Sequence, residues 1–232
     1  DTGLNSVSGK LTIAGNVYPP SDTSRQLRLW GNGDGEISGV IANGATAALP
    51  VYKEKGTGTW TLSGANTYSG TTYANNGNLV IGGVNGKIAA GADIGVGGTL
   101  TVTNSLDANN GDRLSNSSGV TLNGGTLRFA HPGGAVNYSE TAGVLTVGAF
   151  ESTVESARAD EGQTSALTFS SLARTGVGSV NFAGEGLGAS DNRNRILFTT
   201  APVADNAVIG PWALYNGTNL ATAEEHTSEL QS

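Results

Sequence analysis

Residues Gly58 to Gly70 read GTWTLSGANTYSG, and this stretch decides the fold. Its apolar residues alternate with threonines, which is the pattern of a β-strand with one buried face. The glycine, alanine and asparagine that follow are typical of a tight corner. We expect a strand over 59–63, a corner over 64–66 and a second strand from about residue 71. Asn66 is expected to turn inward and to hydrogen-bond backbone groups of neighbouring coils.

The same pattern recurs as a glycine followed by apolar residues two and four positions later. Between residues 58 and 165 the starts of successive units lie 19, 21, 27, 18 and 22 residues apart. A hairpin meander would repeat about every 8–12 residues, whereas a period near 20 indicates a solenoid. The pattern predicts an all-β parallel β-helix with coils of about 20 residues. The expected core residues are Leu11, Ile13, Leu62, Leu79, Ile81, Leu100, Val102, Leu127, Phe129, Leu145, Val147, Leu167, Phe169, Val180 and Phe182.

Composition excludes several classes of protein. Of 232 residues, 36 are glycine and only 13% are charged, and the net charge is -7 with a pI near 4.7. An acidic chain is a poor partner for nucleic acid or an anionic membrane, and no apolar run is long enough to insert into a bilayer. The absence of cysteine excludes disulfides, thiolate metal sites and a cysteine nucleophile.

The two ends of the sequence differ from the repeat. The chain contains no Met, so we expect the start of the gene product to lie upstream and the solenoid over 1–222 to be truncated at both ends. Residues 223–232 lack the glycine pattern and resemble translated sequencing adapter. They are predicted to be a non-native tail, which leaves His226 without a role.

The stretch from Gly56 to Ile81, GTGTWTLSGANTYSGTTYANNGNLVI, closely resembles the autotransporter-associated β-strand repeat of bacterial surface and secreted proteins. Flanking segments over 35–44, 113–129, 139–147 and 206–222 resemble other coils of the same proteins. The resemblance implies a right-handed parallel β-helix in a secreted or surface-displayed passenger, which stacks on further coils of its own parent chain. The family shares a structural repeat and no catalytic residues, so the fold alone does not supply a function.

The strongest candidate for a metal site is GNGDGEISG over 31–39. Asn32, Asp34 and Glu36 alternate there as oxygen donors, and such residues among glycines can bind Ca²⁺ in turns. The spacing differs from that of an EF-hand, and calcium sites usually need six or more ligands. We therefore expect a structural corner that folds without metal, with calcium as the alternative.

Other candidate residues are weaker. A lyase-like set would combine Asp93, Asp107 and Asp112 with Arg113 or Arg128, but these residues occupy different positions in the repeat and need not converge. His131 has no second imidazole with which to share a metal and is expected in a surface turn. GEGLGA over 184–189 lacks the βαβ context of a dinucleotide site. Residues 183–195 are expected to form a solvated loop whose charges are Glu185, Asp191, Arg193 and Arg195.

Aromatic residues cluster near the repeat. Trp30, Tyr68 and Tyr73, if exposed on a regular ladder, could stack on sugar rings. Trp60 occupies an inward position and is expected in the core.

We therefore expect a non-enzymatic structural segment of an autotransporter-like passenger, outside the cell or on its surface, with no cofactor. A glycan-binding surface module is the alternative, and a polysaccharide lyase is a more distant one. The expected partners are host or environmental glycans or surface proteins.

Overall fold

A computed structural model describes residues 2–20, 24–106, 108–134, 136–189, 191, 193–223 and 230–231. Within these ranges the chain is all β and contains no helix, and hence no apolar helix of membrane-spanning length. The strands are β1 (Thr2–Asn5), β2 (Lys10–Ile13), β3 (Leu27–Trp30), β4 (Asp34–Ile37), β5 (Val51–Lys53), β6 (Thr59–Leu62), β7 (Thr72–Ala74), β8 (Gly77–Ile81), β9 (Ala92–Gly95), β10 (Gly98–Val102), β11 (Val120–Asn123), β12 (Thr126–Ala130), β13 (Tyr138–Ala142), β14 (Leu145–Val147), β15 (Glu151–Ala157), β16 (Ser165–Phe169), β17 (Leu172–Arg174), β18 (Ser179–Ala183), β19 (Asn194–Phe198), β20 (Ala213–Tyr215), β21 (Asn219–Leu220), β22 (Thr222–Ala223) and β23 (Leu230–Gln231).

The strands form a parallel β-solenoid, as predicted, and the solenoid has about seven turns. The first sheet has the order β1-β3-β5-β7-β9-β11-β14-β17, and the second has the order β2-β4-β6-β8-β10-β12-β15-β18-β20-β21. A third sheet, β13-β16-β19, closes the later coils. In earlier coils single bridges, such as Val17 to Ile41 and Ala65 to Lys87, stand at the place of this third sheet. Antiparallel pairing occurs between β20 and β21 and between β22 and β23.

The core runs along the inside of the coils. Every predicted core residue is fully buried except Leu11 and Ile13, which are partly buried against the same cluster. The difference has a simple cause, because both residues belong to β2, the outermost strand of the second sheet, which is paired on one side only.

The predicted repeat combines strands from different sides of the solenoid. Leu145 and Val147 lie in the first sheet, and Leu167 and Phe169 lie in the third, whereas Leu100 and its neighbours along the axis lie in the second. The pattern of a glycine with alternating apolar residues marks any half-buried strand, so it cannot tell one side from another. The true coil length varies: Trp60 faces Leu79, 19 residues later, whereas Leu127 faces Val154, 27 residues later.

Asn66 acts as the sequence predicts. Its side chain is fully buried at the corner after β6. Its Oδ1 accepts the backbone N–H of Ile41 at 2.9 Å, and its Nδ2 donates to the backbone carbonyl of Lys87 at 3.0 Å. One amide thus satisfies backbone groups in the coil before it and the coil after it, at a side where no continuous strand is present.

Candidate functional site

The outer face of the first sheet carries a stack of side chains from successive coils. Arg28, Tyr52 and Tyr73 are neighbours in register along the axis. The two tyrosine rings are nearly parallel, 6° apart, with centroids separated by 4.3 Å, and Arg28 Cζ lies 5.2 Å from the centroid of Tyr52. Because Arg28 and Tyr73 approach Tyr52 from opposite coils, both faces of its ring are covered. The far face of Tyr73 lies toward Asp93, its neighbour in the next coil.

Trp30 lies beside this stack and is also engaged. Its Nε1 donates to Glu54 Oε1 at 3.0 Å, and Lys55 Nζ lies 5.0 Å from a ring centroid. The other side of the indole packs over Gly3, where a Cβ would come within 3.1 Å of the ring. The stacked aromatic residues therefore stabilise neighbouring coils, and their ring faces offer little surface for a sugar.

The calcium candidates also serve the coil that follows them. Asn32 Oδ1 accepts the backbone N–H of Thr57 at 3.1 Å, and Asp34 Oδ1 accepts that of Thr59 at 2.9 Å. Glu36 is paired with Lys10 at 2.6 Å, which lowers the pKa of its carboxyl group. In the part of the chain that the structure describes, no group of three or more His, Asp or Glu side chains is placed to hold a metal ion.

The four described members of the lyase-like set do not come together. Asp93 accepts the side-chain amide of Asn123 on the first sheet, and Asp112 pairs with Lys87 at 3.7 Å. Arg128 pairs with Glu155 on the outer face of the second sheet. Arg113 is buried inside the solenoid. Asp107 lies outside the described residues, as does His226.

Arg113 and Glu140 form a buried polar corner that the sequence did not reveal as a unit. The Arg113 guanidinium donates to Asn104 Oδ1 at 2.8 Å and to the carbonyls of Gly83 and Gly86 at 2.6 and 2.8 Å. The Glu140 carboxylate accepts the backbone N–H groups of Arg113 and Leu114 at 3.0–3.2 Å. Burial raises the pKa of Glu140 to about 7, against the opposing effect of these hydrogen bonds.

Glu140 lies in β13, the first strand of the third sheet along the solenoid. It is an inward residue of β13 and faces Leu167 of β16 in the next coil. Among the described residues of the preceding coil, none forms a strand of the third sheet, and the carboxylate accepts the amide protons of Arg113 and Leu114 there. The alternation from Tyr138 to Ala142 is the signal that could have placed Glu140 inward.

His131 is buried, so the prediction of a surface turn is wrong. Phe129 points inward at the end of β12, and the extended chain carries His131 to the same face two residues later. The imidazole stacks on Tyr138 with a centroid separation of 4.3 Å and meets Phe129 edge-on at 4.0 Å. Its Nδ1 accepts the backbone N–H of Asn104 at 3.3 Å. Burial, and next the charge of Arg113, lowers its pKa to about 3.

Lys53 is a second buried charge that sequence reasoning missed. It points inward from β5 and donates to the carbonyls of Gly56 and Asn76, both at 2.9 Å. Burial lowers the pKa of its ammonium group. The signal was available, because Lys53 alternates with the inward Val51.

The remaining aromatic and loop predictions are partly met. Trp60 is in the core as expected, and Tyr68 is fully buried, with its hydroxyl 2.7 Å from Thr72 Oγ1, so it offers no ladder to sugars. The loop after β18 includes Glu185 and an ion pair between Arg193 and Asp191. Arg195 instead belongs to β19, because this segment adds a strand to the third sheet.

Together these features define a parallel β-solenoid in which the side chains of Asn32, Asp34, Asn66 and Glu140 accept hydrogen bonds from the backbone of neighbouring coils. Residues 55–81 match the sequence model of a family described as the passenger-associated-transport-repeat. The match confirms the resemblance predicted for Gly56 to Ile81. Comparisons with curated proteins and with solved structures found no match.

Proposed function

We propose that this chain is a non-enzymatic, rod-like segment of an autotransporter-like passenger, secreted or displayed on a bacterial surface. The observation that carries the proposal is the position of the matched repeat. Residues 55–81 begin at the corner before β6 and end with β8, which pairs with β6 in register, so that they cover one turn of the solenoid and the first strand of the next. In a solenoid each coil contacts only its neighbours, so further coils can be added at either end without changing the rest.

The absence of an enzymatic role is part of the proposal. The described carboxylates of the lyase-like set lie on different sides of the solenoid and pair with different partners. Acid-base chemistry instead needs groups that converge on one reacting atom. An assay for unsaturated uronate products, with pectate and alginate as substrates, should give no signal above a heat-denatured control.

Surface display can be tested directly. The chain is placed between a secretion signal and a β-barrel translocator in a Gram-negative host, and exposure is measured by protease accessibility of whole cells. We expect the parent to be displayed. Display of the Leu100→Asp variant should be lost, because the substitution places a charge in the buried ladder. Thr101→Asp is the matched control and should be displayed. Retention of the parent inside the cell would overturn the passenger role.

A second candidate function is glycan binding by the displayed rod. It is favoured by the exposed ring of Phe150 and by partly exposed threonine side chains on the later coils, away from the covered stack around Tyr52. Binding would add recognition to the structural role.

A further inference from the structure

Phe150 has a backbone conformation that is unfavourable for a residue with a bulky side chain. It lies at the corner between β14 and β15 with a φ of 62°, and its side chain is 65% exposed. The corresponding corners of the six preceding coils each carry a glycine with positive φ: Gly9, Gly31, Gly56, Gly77, Gly97 and Gly124. A bulky residue is strained there, and an exposed ring gains little from burial. Stability therefore does not account for Phe150, and an outlier of this kind points to function.

Two valines extend Phe150 into an apolar ridge along the corner. Val96 and Val177 occupy corners between the same two sheets and are 60% and 89% exposed. Between Val96 and Phe150 lies Gly124, where a Cβ would come within 2.6 Å of Val96 Cγ2 and 3.0 Å of Phe150 Cβ. The two side chains thus close over the glycine. We name Val96, Phe150 and Val177 the corner ridge.

Threonine hydroxyls flank the corner ridge on both sides. Thr99, Thr126 and Thr153 are in register on the outer face of the second sheet, and Thr121 and Thr146 are in register on that of the first. All five are partly exposed. Within the described ranges their hydroxyls make no hydrogen bond to protein. A narrow apolar strip therefore lies between two rows of free hydroxyl groups, repeated at the coil spacing of about 4.8 Å.

These dimensions fit a carbohydrate better than a protein. A stable protein interface covers about 800 Å² on each partner, whereas the corner ridge has one apolar side chain from each of three coils. The C–H face of a sugar ring packs well on an aromatic ring, and its hydroxyls need polar partners at the edges. Asp93 and Glu151 lie nearby, on the first sheet and next to Phe150, and their negative charge disfavours acidic sugars.

We propose that the corner ridge and its flanking threonines bind an uncharged linear polysaccharide, with a pyranose ring on Phe150. This inference rests on the proposed function and assigns the ligand class and site to its glycan-binding form. Phe150 supplies the apolar contact, and the threonines exchange hydrogen bonds with hydroxyls of successive sugars along the rod.

The test uses Phe150→Gly, which removes the ring and places a residue suited to the local φ. Tyr18→Gly is the matched control, because Tyr18 is 66% exposed and lies in an early coil. Linear hexaoses of β-1,4-linked glucose, mannose and xylose, with hexagalacturonate as the acidic comparison, are titrated at millimolar concentration and followed by amide chemical shifts. We expect at least one neutral hexaose to bind. Phe150→Gly should weaken that binding tenfold or more, whereas Tyr18→Gly should change it less than twofold.

Three results would overturn the proposal: no neutral hexaose binds, binding survives Phe150→Gly, or hexagalacturonate binds better than the neutral sugars. Sedimentation velocity tests a second copy as the occupant, since self-association abolished by Phe150→Gly would assign the ridge to a dimer instead. Display of both variants and the parent is measured in parallel. A parent that is displayed but binds no neutral hexaose contradicts this site alone, whereas failure of the parent to be displayed contradicts the passenger role.

Discussion

The indole of Trp60 occupies the space beside Gly35, its neighbour in the preceding coil, so that a Cβ on Gly35 would overlap Cδ2, Cε2 and Cε3 of the ring. The Trp60 Nε1 also donates to the backbone carbonyl of Trp30 at 3.0 Å. The largest side chain of the core thus fits because its neighbour has none. Shape matching between successive coils decides which residues the interior accepts.

Gly35→Ala should therefore destabilise the protein by about 1–3 kcal/mol, the usual cost of overpacking a core. Gly15→Ala is the control, because a Cβ at Gly15 meets no atom within 4 Å. Urea unfolding of the two variants measures the difference. An equal effect at both positions would contradict the packing of Trp60 against Gly35.

The facing of β10 gives a second prediction. Leu100 is fully buried, whereas Thr101 points outward and donates to Asn78 Oδ1 at 2.8 Å. Leu100→Asp should cost several kcal/mol because it places an unpaired charge in the interior. Thr101→Asp should cost about 1 kcal/mol or less. Equal sensitivity in urea unfolding would refute the assignment of the two faces.

The buried amide of Asn66 gives a third. Asn66→Ala would leave the N–H of Ile41 and the carbonyl of Lys87 without partners, at a cost of about 1–3 kcal/mol for each buried group. Asn16 makes a similar bond, from its Oδ1 to the N–H of Val40, but in an exposed position. Asn16→Ala should cost less than about 1 kcal/mol, since water replaces the lost partner. Thermal unfolding that ranks the two variants the other way would contradict this account.

Glu140 and His131 have opposite effects on the pH dependence of stability. The pKa of Glu140 is raised from 4.5 to about 7, so its contribution to stability is full below pH 4.5 and is lost as the pH rises to 7. The pKa of His131 is lowered from 6.5 to about 3, so its contribution is full above pH 6.5 and is lost as the pH falls to 3. Between pH 4.5 and 6.5 the two effects largely cancel.

Glu140→Gln should uncover the effect of His131. The difference in unfolding free energy between parent and variant should change by about 1.4 kcal/mol per pH unit from pH 5 to 6.5, with the parent gaining relative stability as the pH falls. Urea unfolding at pH 5, 5.5, 6 and 6.5 measures it. Parallel profiles for the two proteins would show that Glu140 keeps its ordinary pKa.

The fold was predictable from sequence because each half-buried strand repeats one local pattern. Trp60 and Leu62 already show it, and Asn66 could be placed because a corner needs an inward partner for its backbone. The side of the solenoid was not predictable, since Leu145 and Leu167 follow the same pattern in different sheets. The polar interior was harder still, because the burial of His131 depends on which residues of adjacent coils surround it.

The same limit applies to the candidate sugar site. The corner ridge joins residues from corners 27 or more positions apart in sequence, and its significance depends on the φ of Phe150. Neither property is visible until the coils are in register. The predicted sugar contact at Tyr68 is wrong because that residue is fully buried, and Tyr73 offers less ring surface than expected because Tyr52 of the preceding coil covers one of its faces.

The parallel stacking of coils is tested most directly by disulfide formation between neighbours in register. Thr61 and Val80 face each other on the outside of β6 and β8, at a spacing of about 4.8 Å that a disulfide can span. The chain has no cysteine of its own, so Thr61→Cys combined with Val80→Cys gives no background. Under mild oxidation this pair should cross-link nearly completely within the monomer, whereas Thr61→Cys with Thr101→Cys, two coils apart, should not. Cross-linking of the second pair, or none in the first, would contradict the solenoid.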